Sequence, residues 1–358
     1  MELDMNLKID QLCGDSLFQL NLAIWLAQPE PNGFSIRAIF YESGFTIYSI
    51  GPLLPLPPDI RLIIDKAKFD CQDAARPDLI LATANRTKIC FLECKRSSFG
   101  VISTTAQQAR TLLLLTGPIV PEVLALGPRG SAQGILTYLT RKDQVEDLQR
   151  TLDIIKKEIA NTKLGMGKYG CFGITSDEKA ILIEYSDELK KLMHLREGSP
   201  IEILPITADT DPRPLYFIPY DPSVFNEQSE GEEKLCRRIL FERFLSYILC
   251  KLGSAIVPSE LVLTRIEILK SVTFDIYETW EDNEAKKHFR SLLRDFMRSL
   301  TNNLDPDIRK LIEHDPKRSW VFQLENVKTH EEILNQVSKF KPEDMDLTKE
   351  MAPELFDY

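Results

Sequence analysis

The sequence predicts an α/β fold, a mixed sheet flanked by helices, followed by a section that is helical throughout. Three observations carry this. Between residues 34 and 219, short apolar runs alternate with segments of helical periodicity. Within that span the runs DLILAT and KICFLECK flank a short polar turn, as in a β-hairpin. Past a polar break at 221–234 the chain reads as helix after helix, beginning with KLCRRILFERFLSYILCKLG. The sequence therefore predicts an α/β domain over 1–220, a helical domain over 225–340 for recognition or assembly, and an acidic tail over 341–358.

The first element is a helix over 14–27, with Leu17, Leu20 and Ile24 on one stripe beside Trp25. FSIRAIFYE and FTIYSI read as two strands joined through Ser43-Gly44. GPLLPLPPD, from Gly51 to Asp59, is a stiff proline-rich connection, and a short helix is expected at 59–68. After the hairpin, STTAQQARTLLLLTG reads as a helix with Ser103 or Thr104 as N-cap and Gly117 beyond its C-terminus. EVLALG and GILTYLT read as strands. Val145, Leu148, Leu152, Ile155 and Ile159 then mark an amphipathic helix. YGCFGI and KAILIEY make a hairpin across Thr175 to Glu178, and IEILPIT and PLYFIP close the α/β part. In the helical section Ser259, Asp305 before Pro306, and Thr329 with Glu332 read as helix starts. Trp280 and Trp320 are expected as core or interface anchors.

Composition narrows the chemistry. Hydrophobic residues make up 43% and charged residues 27%, as in soluble globular proteins. No apolar run approaches the ~20 residues of a membrane span, and the acidic N-terminus lacks the pattern of a signal peptide. A cytoplasmic protein is expected, with no membrane contact. The seven cysteines include no CxxC pair and read as reduced, packed thiols. The four histidines have no zinc spacing. Net charge is −10, yet residues 76–170 carry fourteen basic and eight acidic side chains, making this the basic section. KLGMGKYG matches GxGxxG literally, but its glycines follow a helix and precede a strand, the reverse of a dinucleotide fingerprint. GPRGSAQG lacks the ending of a phosphate loop and reads as a surface loop, with Arg129 the side chain suited to a phosphate.

The hairpin RPDLILATANRTKICFLECKRSS holds an Asp, a Glu and a Lys inside strands that otherwise read as buried. Charges leave water at a cost of several kcal/mol each unless paired or bound to a metal. With the turn centred between Asn85 and Arg86, facing residues have numbers that sum to 171, so Asp78 opposes Glu93. Opposed side chains share a face with Cβ atoms ~5 Å apart, and Lys95 lies two residues on, on that face. Two opposed carboxylates require a cation. The expected ion is Mg²⁺, with Mn²⁺ as a substitute, held by Asp78, Glu93 and the backbone carbonyl of Cys94. Lys95 would orient a metal-activated water, while Arg96 and the helix start near Thr104 would hold a phosphate backbone.

Pro77-Asp78 followed by Glu93-Cys94-Lys95 resembles the PD-(D/E)xK motif of the restriction-endonuclease-like superfamily. The order helix, three-strand meander bearing the motif, helix, further strand is similar over roughly residues 10–170. The resemblance implies a restriction-endonuclease-like core and Mg²⁺-dependent hydrolysis of nucleic-acid phosphodiesters, DNA ahead of RNA, leaving a 5′-phosphate. It adds Gln107 or Gln108, with Gln108 in the catalytic set and Gln107 as a substrate contact. The Glu that many members carry on the first helix is absent here, where Asp15 and Gln19 stand instead. A homo-oligomer or protein partner is expected through the helical domain, and a prokaryotic restriction or anti-phage defence system as the setting. The alternative is an inactive nuclease-fold scaffold that serves as a protein-interaction subunit. Removal of either carboxylate is expected to leave stability nearly unchanged, because it relieves repulsion.

Overall fold

A computed structural model describes residues 13–29, 36–162, 164–177, 179–206, 218, 230–280, 283–315 and 319–342. The chain divides into two compact units, Met1–Glu227 with Thr279–Asn283, and Gln228–Glu278 with Glu284–Tyr358. The expected strand PLYFIP (apart from Ile218), Glu178 of the second hairpin, the first part of the polar break and the acidic tail from 343 lie outside the described residues.

In the first unit α1 (Ser16–Leu26) starts at Asp15, whose carboxylate accepts from the amides of Leu17 and Phe18 at 2.8 and 2.9 Å. All eleven of its residues are buried, so the helix is enclosed on every side and not along a single stripe. Among the described residues of FSIRAIFYE, 36–42, no strand forms. Residues Ile39–Glu42 form one helical turn, α2, closed by a bond from Ser43 Oγ to the carbonyl of Ile39 (2.8 Å). Gly44 follows at φ +84°. Ser43-Gly44 thus ends a helix, a role open to the same residues that make hairpin turns.

Next come β1 (Phe45–Ile50), β2 (Leu54–Pro55), α3 (Pro58–Ala67) and β3 (Ala74–Ala75). The motif hairpin is β4 (Leu79–Thr83) and β5 (Lys88–Cys94). Leu79 faces Leu92, Leu81 faces Cys90 and Ala82 faces Ile89, the register that side-chain alternation predicts. Asn85 fixes the turn, its Oδ1 accepting from Thr83 Oγ1 (2.8 Å) and from the Thr87 amide (3.2 Å).

Then follow α4 (Thr104–Leu115), capped by Ser103 Oγ on the Ala106 amide (3.1 Å), and one turn, α5 (Val120–Val123). EVLALG therefore does not run as a strand. Pro121 stands in the first turn of α5, and its carbonyl accepts from the amides of Leu126 and Gly127, folding the segment back. The unit continues with β6 (Gln133–Arg141), α6 (Val145–Ala160), β7 (Lys168–Ser176), β8 (Ala180–Tyr185), α7 (Asp187–Met193) and β9 (Ile201–Pro205).

Seven strands form one mixed sheet in the order β1-β4-β5-β6-β7-β8-β9. The pairs β1–β4 and β4–β5 are antiparallel, β5–β6 and β6–β7 parallel, and β7–β8 and β8–β9 antiparallel. Parallel neighbours need a crossover; α4 lies in the first and α6 in the second. Ile80, Phe91, Leu136 and Tyr138 share the face that α4 and α6 cover with Leu112, Leu113, Leu152 and Ile155. The opposite face of β5 and β6 is packed by α1. Covered on both sides, KICFLEC is buried from Ile89 to Cys94.

Two glycines let α4 reach its place. A Cβ on Gly134 would stand 2.0 Å from the Thr116 carbonyl oxygen, and one on Gly167 would stand 2.3 Å from Thr116 Oγ1. Part of the GxGxxG match is thus accounted for by close packing at the C-terminus of α4. Gly134→Ala is expected to destabilise the first unit by about 1–3 kcal/mol or more, since the obstacle is backbone. Chemical denaturation followed by tryptophan fluorescence measures it.

The second unit is largely helical but not helical throughout. It holds α8 (Glu230–Gly253), α9 (Arg265–Val272), α10 (Asn283–Asn302) and α12 (Val327–Lys339), with two short turns, Ile276–Thr279 and α11 (Pro306–Arg309). It also holds an antiparallel sheet, β10 (Ser259–Thr264), β11 (Ile312–Asp315) and β12 (Ser319–Leu324), in the order β10-β12-β11. SWVFQL buries every second residue, Trp320, Phe322 and Leu324, a period of two that the helical reading passed over. Ser259 accordingly opens a strand. The helix start is one element later, a capping box between Thr264 and Glu267. Asp305 and Pro306 do begin α11. Asn326, not Thr329, caps α12, accepting from the Thr329 amide at 3.0 Å.

Candidate functional site

The three charges of the hairpin meet at the open end of β4 and β5. Asp78 directly precedes β4, where its carbonyl accepts from the Gly51 amide of the β1 edge (3.1 Å). Its amide donates to Glu93 Oε1 (3.2 Å), and its own Oδ2 accepts from the Cys94 amide (2.7 Å). Each carboxylate is therefore tied to the other's strand. Both residues are 0% exposed. Lys95 Nζ stands 3.0 Å from Glu93 Oε2, with the lysine side chain 14% exposed. Asp78, Glu93 and Lys95 thus form one cluster in which, of the three, the lysine alone is partly exposed.

Beside the cluster stands Tyr138, the partner of Glu93 across the parallel β5–β6 ladder. Burial first, then the negative charge of Glu93, holds the Tyr138 phenol well above its usual pKa. It stays neutral beside the carboxylates. Its ring lies 5.8 Å from that of Phe99.

The other expected residues are brought near with different roles. Gln108 donates from Nε2 to the Arg76 carbonyl at 3.3 Å, and so holds the segment leading into Asp78. Gln107 donates to both oxygens of Asp70 at 2.9 and 3.1 Å. Thr111 Oγ1 donates to the Gln72 carbonyl (2.8 Å) and accepts from its amide (2.9 Å). One face of α4 is thus a strap for residues 70–76. Thr104 is exposed at the start of α4, with its carbonyl taking a bond from Gln72 (3.4 Å), and Arg96 is exposed just past Lys95. Arg129, the loop cation suited to a phosphate, is paired instead with Asp59 and Glu122. On α1, Asp15 is engaged as the helix cap.

Sequence reasoning missed Tyr138, Thr140 and Arg110. Arg110 is buried, paired to Glu158 of α6 (2.8 Å) and bonded to the Val101 carbonyl (2.9 Å). A lone Arg between Ala109 and Thr111 on a helix with Leu112 to Leu115 was the visible signal for it. Tyr138 and Thr140 carried no local signal, because their roles depend on a parallel register set by a long crossover.

Among the described residues no three His, Cys, Asp or Glu side chains gather as a metal cluster. The donor set is two buried carboxylates with the neighbouring Cys94 peptide. That set fits a hard ion which keeps water and phosphate in its shell, and does not fit zinc. The buried thiols Cys90 and Cys171, and half-buried Cys71, are unsuited to nucleophilic work. Burial pushes Cys90 and Cys171 up to about 12 and Cys71 up to about 11. In native alkylation at pH 8, exposed Cys250 is expected to react first, with Cys90 and Cys171 silent, as read by peptide mass spectrometry. Compared with known proteins, the chain matches no family model, no curated protein and no solved structure. Among the described residues no helix is long and apolar enough to cross a membrane.

Proposed function

We propose that this chain is a divalent-metal-dependent nuclease of the PD-(D/E)xK kind, hydrolysing nucleic-acid phosphodiesters. One observation carries the reading: two wholly buried carboxylates on adjacent strands, with a lysine ammonium 3.0 Å from one of them. The order α1, the β1–β4–β5 meander, α4 and the parallel β6 supports a restriction-endonuclease-like core. Asp78, Glu93 and the Cys94 carbonyl would hold Mg²⁺ or Mn²⁺. The bound ion supplies an acidified water and charge neutralisation at a phosphoryl group. Lys95 orients the attacking water by donating to it, and Tyr138 keeps the inner side of the site dry. Arg96 and the exposed start of α4 are the groups for a phosphate backbone, DNA ahead of RNA.

The second unit serves recognition or assembly, as a homo-oligomer or with a protein partner, and light scattering on the purified chain decides self-association. A defence system is the setting this chemistry suits, and the cytoplasm its compartment. The same complete burial also favours a second reading, an inactive scaffold in which the three charges are a structural cluster. Incubation with supercoiled plasmid, linear DNA and RNA, with and without Mg²⁺ or Mn²⁺, separates the two. Metal-stimulated cleavage supports the nuclease; no cleavage and no metal binding by calorimetry leave the scaffold.

A further inference from the structure

The peptide of Lys95 is held more tightly than a strand end requires. Its amide donates to the Leu139 carbonyl (2.9 Å), the last rung of the β5–β6 ladder. Its carbonyl accepts two side-chain donors, Thr140 Oγ1 at 2.8 Å and Gln19 Nε2 at 3.2 Å. The Gln19 amide also donates to the Cys13 carbonyl at 2.9 Å. Gln19 and Thr140 come from α1 and β6 and are both 0% exposed. Gln19 Oε1 is buried without a hydrogen bond, a penalty that an apolar side chain would avoid on a helix otherwise rich in Leu, Phe and Ile. Something is gained by keeping an amide there.

The chain beyond is fastened in the same manner. Ser98 donates from its amide to Gln144 Oε1 (3.1 Å), the Phe99 carbonyl accepts from Thr151 Oγ1 (3.0 Å), and the Val101 carbonyl accepts from Arg110. Side chains from α1, β6, α4, α6 and the turn before α6 thus fix the connector 95–101. A connector without a function of its own seldom draws so many buried donors.

We propose that Gln19 and Thr140 are positioning residues that clamp the Lys95 peptide and so aim its ammonium at Glu93 and at the attacking water. This rests on the nuclease reading of Asp78, Glu93 and Lys95. The clamp acts through Lys95, so it governs turnover and not substrate affinity.

The test uses the full chain with Gln19→Met, Thr140→Val, the double variant and Thr140→Ser, which keeps the hydroxyl. The first readout is reductive methylation of Lys95 in the folded protein, followed by peptide mass spectrometry. Methylation is expected to speed up by about tenfold in the valine and methionine variants as the amine gains freedom, and to stay near the wild-type rate in the serine variant. The second readout is cleavage, where kcat should fall by about tenfold or more with KM unchanged. Thermal melting identifies any variant that fails to fold, and Thr140→Val against Thr140→Ser then carries the comparison alone. Unchanged Lys95 methylation in a folded double variant overturns the clamp, whatever the activity. A wild-type chain that cleaves nothing with either metal, while Lys95 methylation still responds to the clamp variants, overturns the nuclease reading and upholds the clamp.

Discussion

Lys95→Ala is expected to lower metal-dependent cleavage by about 10² to 10⁴-fold, the usual effect of removing a positioned catalytic group, while Mg²⁺ binding stays nearly intact. The lysine is not a ligand in the proposed site; it donates to the water. Its loss also has a structural side, because the ammonium stands 3.0 Å from a carboxylate that is 0% exposed. Breaking a buried pair on one side destabilises by about 3–5 kcal/mol at the extreme. Lys95→Gln, which retains length and a donor, belongs beside it. Rate and melting temperature are read together. If Lys95→Ala cleaves at the wild-type rate, the nuclease assignment is wrong. Gln108→Ala is the contrast: it removes one 3.3 Å bond to the Arg76 carbonyl and should slow cleavage only modestly.

The second large effect concerns the acids. Asp78→Ala and Glu93→Ala should each abolish both metal binding and cleavage. The sequence alone argued that stability would hardly change, since two facing carboxylates repel. The structure reverses that expectation. Asp78 Oδ2 accepts from the Cys94 amide and Glu93 Oε1 accepts from the Asp78 amide. Either alanine strands a buried N–H, at about 1–3 kcal/mol. Asp78→Asn and Glu93→Gln keep an acceptor oxygen and remove the charge. Asp78→Asn should melt near the wild type and Glu93→Gln lower, because Lys95 loses its ion-pair partner; both should still fail to bind Mg²⁺ in calorimetry. Amide variants that bind Mg²⁺ as tightly as the wild type would remove the metal from the proposal.

How much of this is legible in the sequence follows from the range of each interaction. The β4–β5 register was readable because a hairpin is local: the turn at Asn85 and strict alternation leave one pairing that buries Leu81 opposite Cys90. The start of α4 at Ser103 or Thr104 was readable for the same reason, and the cap is Ser103. Short segments with two plausible fates were not. Ser43-Gly44 closes a helical turn here, and Pro121 turns EVLALG back on itself. In the second unit SELVLT and SWVFQL satisfy each other across a gap of more than fifty residues, and neither segment alone announces a sheet. At the candidate site, the meeting of Asp78, Glu93 and Lys95 was readable from register and alternation. Tyr138, Thr140 and Arg110 were not, because their partners lie across a parallel pairing or on other helices.

The same difference in range sets an order of assembly. The two strands that carry the acids are joined by four residues, so the hairpin can close in roughly 1–10 μs. It zips from the Asn85 turn, and the repelling end at Asp78 and Glu93 closes last. Lys88 and Gln133, the first partners of the β5–β6 ladder, are separated by an entire helical crossover, and such pairings form late. A chain emerging from the ribosome therefore carries Asp78, Glu93 and Lys95 well before it carries the strand that bears Tyr138 and Thr140. Until that strand docks, the acids are wet and the lysine is loose. In the proposed nuclease, the docking of β6 is thus the step that completes the site.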